Sequence, residues 1–189
     1  MVRSLIHAVI AALLIASARA ELQLTPSVVQ YELDGVKLKQ LAFSDGAKQV
    51  TYQAPRGWEY SGSATQLTLR PPNKPPQAEA TITRIPLPQP GSFDDESLKK
   101  LVTEAVASVP KGSENVTVVS QEKNPLLMNR KETFLITLAY DFYGASYSRS
   151  ILFLNRGDEQ IRFRLTCSQA DFKELQKAFL GSQYSWRNL

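Results

Sequence analysis

Apolar positions along this chain recur with two different periods, and the change of period divides it into elements. Through 133–167 the period is two. Phe134, Ile136, Leu138, Tyr140 and Phe142 alternate with smaller or polar residues, then Ile151 and Phe153, then Ile161, Phe163, Leu165 and Cys167. Alternation of this kind reads as half-buried strand. It predicts strands over 133–143, 147–154 and 159–167, joined as a meander by Gly144-Ala145 and by residues 155–158, loops short enough for antiparallel neighbours. All these alternating residues are expected on one core face. The other face carries Thr137, Asp141, Ser148, Ser150, Arg162 and Arg164, with Leu135, Leu152 and Leu154 among them. Shorter strands are predicted over 36–43, 50–54, 66–70, 78–85 and 116–121.

A period of three to four appears twice. Leu98, Leu101, Val102, Ala105, Val106 and Val109 form one apolar stripe, with Ser92 as the expected cap and Pro110 as the stop. Asp94, Asp95 and Glu96 sit in the first turn, where the helix dipole favours acids, so the triplet needs no metal or catalytic role. Phe172, Leu175, Phe179 and Leu180 mark a closing helix that starts near Ser168, with Asp171 three residues on, and ends at Gly181. Strands joined by short loops with few helices predict an α+β fold, an antiparallel β-sheet meander with helices packed on it.

The first twenty residues stand apart. Arg3 precedes an apolar run, Leu5 to Ala16, and Ala18-Arg19-Ala20 provides small residues at a cleavage point between Ala20 and Glu21. The run is shorter than the roughly 20 residues that span a bilayer, so residues 1–20 read as a signal peptide. The expected division is signal peptide 1–20, N-terminal arm 21–35 and a single domain 36–189. This predicts export to a bacterial periplasm or the extracellular space, without stable membrane insertion after cleavage.

Export changes the chemical inventory. The only histidine, His7, lies in the leader, so the processed chain has no imidazole for zinc sites, Ser-His-Asp triads or Cys-His dyads. The single cysteine, Cys167, allows no internal disulfide, and its place on a strand's apolar face reads as a buried thiol. Of the net charge of +4, Arg3 and Arg19 supply two, and no Lys/Arg block remains to engage nucleic acid. No cofactor and no metal is expected.

Binding candidates fall in two places. Trp58 and Tyr60 follow a Pro-Gly corner, where Trp58 either plugs the core or stacks on a ligand. Arg162 and Arg164 form a positive row that Arg149 would extend, with Tyr143, Tyr147 and Asp141 near the same hairpin end. Such a row binds an anion, or else is solvated or paired with a covering helix. A carboxylate pair, Asp141 with Glu159 or Asp158, is the one catalytic arrangement available. Asn115-Val116-Thr117 is an acceptor sequon.

Three segments resemble the Mog1/PsbP-like fold superfamily: the corner Tyr52-Gln53-Ala54-Pro55-Arg56-Gly57-Trp58, the meander ending in Ile161-Arg162-Phe163-Arg164-Leu165-Thr166-Cys167, and the helix with Phe172 and Leu175. The resemblance spans roughly 36–182. It implies an α/β/α sandwich and a non-enzymatic role. Members include accessory subunits of photosynthetic complexes, a binder of a small GTPase and bacterial envelope proteins, with no shared catalytic set. The expected function is a non-catalytic envelope protein that binds another protein or complex. The alternatives are a small-ligand carrier, or a histidine-free hydrolase using the carboxylate pair.

Overall fold

The computed structural model describes residues 21–74 and 77–188. The expected signal peptide lies outside them. Every strand pair is antiparallel, and the strands form two sheets. The smaller sheet has the order β1 (Leu22–Leu33), β2 (Val36–Asp45), β3 (Lys48–Tyr52) and β11 (Arg187–Asn188). The larger runs β4 (Glu59–Gly62), β5 (Gln66–Arg70), β6 (Glu79–Pro86), β10 (Glu159–Ser168), β9 (Ala145–Arg156), β8 (Thr133–Phe142) and β7 (Glu114–Lys123). Two helices complete the α+β fold, α1 (Asp95–Ala107) and α2 (Gln169–Gln183). Among the described residues no helix is long and apolar enough to cross a membrane.

Residues 22–33 are strand rather than a detached arm. Asp34 and Gly35 both take positive φ (50° and 76°), the two-residue turn that matches strand twist, and fold β1 back along β2. Leu22 and Leu24 are fully buried. The ladder shifts register between Gln23 and Ser27, around Pro26, which has no N–H to donate. Here β1 approaches β4 so closely that a Cβ on Gly62 would meet the Pro26 ring at 2.6 Å and the Leu24 carbonyl oxygen at 2.7 Å. Only glycine fits there.

Both faces of the large sheet are core, which corrects the single-face expectation. The register pairs Phe163 with Leu152 and Leu152 with Leu135, while Phe153 pairs with Phe134 and Arg162. Because side chains alternate, this one-residue offset puts the apolar set of β10 on the face opposite that of Phe134, Ile136, Ile151 and Phe153. The first face packs against the small sheet and α2, through Leu22, Phe43, Tyr52, Leu175, Phe179 and Trp186. The second packs under α1, against Phe93, Leu101 and Ala105. Cys167 lies in the first cluster, and burial pushes its thiol up to about 12, which suppresses the reactive thiolate.

The helix ends also differ in detail. Asp94, not Ser92, caps α1, accepting from the Ser97 N–H at 2.8 Å. Ser168 caps α2, as expected, but α2 runs through Gly181 to Gln183. The chain then folds Trp186 back into the core, edge-on to Phe163 at 5.1 Å.

Candidate functional site

The sheet's β8–β9 end gathers the largest share of the sequence candidates. Its turn is Tyr143-Gly144, not Gly144-Ala145, with both residues at positive φ (48° and 75°). A two-residue turn there places Tyr140 opposite Tyr147 and Leu138 opposite Arg149. The two tyrosine rings stack at 5.7 Å, and Phe142 and Tyr143 meet at 4.4 Å. Together they wall a cavity of about 330 Å³ whose lining also includes Arg149, Thr166, Gln77 and Pro110. Tyr143 itself is 93% exposed.

Arg149 forms the base of this cavity. It is buried, and its Nε donates to the Thr166 Oγ1 at 2.9 Å. Its Nη1 donates to the Ser108 carbonyl oxygen and to the Ser108 hydroxyl, the latter at 3.0 Å. Ser108 is the C-cap of α1, where the helix dipole favours a cation. The guanidinium also lies over the Tyr140 ring, 5.6 Å from its centre. All these partners are neutral. Burial lowers the Arg149 pKa, with Tyr140 opposing the shift and Arg164 reinforcing it. Arg164, two residues from Thr166 on the same face of β10, is half-buried beside the cavity rather than in its lining, and its side chain makes no ion pair or hydrogen bond among the described residues.

Arg162 behaves differently. It sits 5.4 Å from the Phe153 ring centre, and its Nη2 meets Glu104 of α1 at 2.7 Å. It pairs with the covering helix. The row of three arginines therefore splits into one neutralised residue and two that have no acid among the described residues.

The Pro-Gly corner is also divided. Trp58 is buried and stacks on Phe179 at 6.2 Å with the planes 8° apart, so it fills the core end. Tyr60 is half-exposed and lines a separate groove of about 450 Å³ with Lys39, Pro55 and Arg56. Trp58 does not line it.

The carboxylates do not meet in one cleft. Asp141 lies opposite Ser146 and Glu159 opposite Arg156, at the two ends of β9, which at about 3.3 Å per residue are roughly 30 Å apart. Hydrogen bonds from Asn115 (2.8 Å) and Ser146 (2.7 Å) hold the Asp141 carboxyl below its usual range, and they occupy the sequon amide. Glu159 belongs to a charge network with Arg156 at 2.7 Å and Arg84 at 3.8 Å. Arg156 also pairs with Asp45, and Arg84 with Glu21 at 2.9 Å. That network joins the two sheets. Among the described residues no group of three or more His, Cys, Asp or Glu side chains is placed to hold a metal.

The sequence pattern does not mark Tyr140 and Phe142 as site walls, nor Gln77, Pro110 and Thr166 as lining residues. The two aromatics follow from the turn once it is centred on Tyr143-Gly144. The other three come from distant segments and leave no local signal.

No protein-family model matches the chain, and no curated protein does. The solved structures that resemble it include two bacterial proteins. One is PA94 from Pseudomonas aeruginosa, a protein of unknown function: 14% identity over 83% of this chain and 94% of that one, with a TM-score of 0.46. The other is the cyanobacterial PsbP, CyanoP, from Synechocystis sp. PCC 6803: 12% identity over 91% of this chain and 95% of that one, with a TM-score of 0.53. The chain has the Mog1/PsbP-like fold.

Proposed function

We propose that this PsbP-like fold serves as an exported, non-catalytic binding protein whose partner docks on the β8–β9 hairpin end. The observation that carries the reading is Tyr143. The first position of such a turn favours Asn, Asp or Gly, because positive φ crowds a Cβ against the backbone. Tyr143 instead holds a bulky aromatic there, touching the neighbouring Phe142 ring at 4.4 Å but left 93% exposed. Backbone strain retained at an exposed position points to a use outside the fold. Tyrosine and arginine, which line this cavity, are among the residue types that dominate binding energy at protein interfaces.

Export rests on the leader-like residues 1–20, and a partner is therefore sought in the cell envelope. The test is affinity capture from an envelope extract with the processed chain, wild type against Tyr143→Asn. The expected result is a specific protein retained by the wild type and lost with the variant. Recovery of the same proteins by both would overturn the assignment of the hairpin end. An absence of any specific partner would overturn the function.

A further inference from the structure

We propose that the cavity beneath the hairpin recognises a carboxylate carried close to an aromatic ring, the ring lying among the tyrosines and the carboxylate meeting Arg149, with Arg164 of the neighbouring strand adding positive charge from beside the cavity. The inference rests on the binding role given to this end of the molecule, and adds the chemistry of what binds.

Buried charge is the reason. A buried arginine is ordinarily matched by a carboxylate, because withdrawing the charge from water is costly. Among the described residues Arg149 is buried against neutral acceptors, and Arg164, diagonal to it in the β9–β10 register, brings a second positive charge beside it. The acids nearest in register are committed elsewhere. Glu79 pairs with Arg70 at 3.1 Å, Glu104 with Arg162 at 2.7 Å, and Asp141 accepts from Asn115 and Ser146. The site therefore keeps an unmatched positive potential inside a low-dielectric pocket, where an anion gains most. Arginine's planar fork suits a carboxylate. The stacked Tyr140 and Tyr147 rings and the Phe142–Tyr143 pair offer faces and edges to an aromatic group. A cavity of about 330 Å³ is at the small end of ligand pockets and admits one ring with its acid, not a large cofactor.

The same chemistry comes from two sources, a free aromatic acid or the carboxyl terminus of a partner chain that ends in an aromatic residue. Calorimetry on the processed chain at low salt separates them. The probes are N-acetyl-phenylalanine, its neutral amide, a pentapeptide ending in phenylalanine with a free carboxyl terminus, and inorganic phosphate. The acid is expected to bind at least tenfold more tightly than the amide, and more tightly than phosphate. Arg164→Gln removes no hydrogen bond and should keep the fold. It is expected to weaken the acid about tenfold and leave the amide unchanged. Tighter binding of the peptide than of the free acid assigns the source to a partner chain, and the reverse assigns it to a small molecule. Equal affinity for acid and amide, phosphate binding as tight as the acid, no binding at millimolar acid, or an indifferent Arg164→Gln would each overturn the proposal. Failure of the capture experiment alongside acid-selective binding would remove the protein partner and leave this site standing.

Discussion

The two ends of strand β9 use the same residue type in opposite ways. At the β9–β10 end, Arg84 and Arg156 meet Glu21, Asp45 and Glu159, so two cations face three acids where the sheets join. At the β8–β9 end, Arg149 lies over the Tyr140 ring with Arg164 beside it, and among the described residues no acid is paired to either. The first arrangement closes on itself and serves the fold. The second leaves an unmatched charge next to open space, and that difference separates a structural cluster from the proposed binding site more clearly than residue identity does.

The largest effect that would test this comparison is on stability. Arg156→Ala leaves Glu159 buried with Arg84 as its only near cation, so unfolding in denaturant should come about 3–5 kcal/mol earlier, the cost of breaking a buried pair. A loss below about 1 kcal/mol would mean that the closed end is not closed.

The two ends should also titrate in opposite directions. Burial raises the Glu159 carboxyl, with Arg156 and Arg84 opposing, whereas hydrogen bonds lower Asp141. A folded pKa above the unfolded one makes the native state bind a proton first, so the Glu159 contribution to stability grows as pH falls through its folded value. For Asp141 the contribution is present above the unfolded pKa and is lost as pH falls through the folded one. Carboxyl carbon NMR shifts followed against pH should give Glu159 a midpoint above the ordinary glutamate value and Asp141 one below the ordinary aspartate value. The opposite order would reverse the assignment.

The smallest effect sharpens the binding side. Tyr143→Asn relieves the positive-φ strain and should raise stability by a few tenths to about 1 kcal/mol while removing the binding surface. A clear loss of stability would show that Tyr143 serves the fold instead.

Much of this architecture was legible in the sequence, and the failures share a cause. The meander and both helices follow from local periodicity, and the fold resemblance rests on three segments. Which face each strand presents does not, because a one-residue register offset inverts it. Phe163 and Phe153 both alternate correctly and still face opposite ways. The turn at Tyr143-Gly144 was misplaced by one residue for a related reason, since tyrosine is a poor signal for positive φ. That single shift hid Tyr140 opposite Tyr147. Pro26 interrupts the pattern of β1, and only its ladder with β2 and its close approach to β4 reveal a strand. Arg149 was visible as a candidate, but its burial against the end of α1 depends on a contact across 41 positions of sequence.

The most direct measurement maps where an aromatic carboxylate lands. Backbone NMR of the processed chain titrated with N-acetyl-phenylalanine should shift the signals of Tyr147, Arg149, Arg164 and Thr166 and leave those of Arg84, Arg156 and Glu159 unmoved. Shifts centred on the Arg84–Glu159 network, or on Lys39 and Arg56 in the corner groove, would contradict the distinction between a closed and an open arginine cluster.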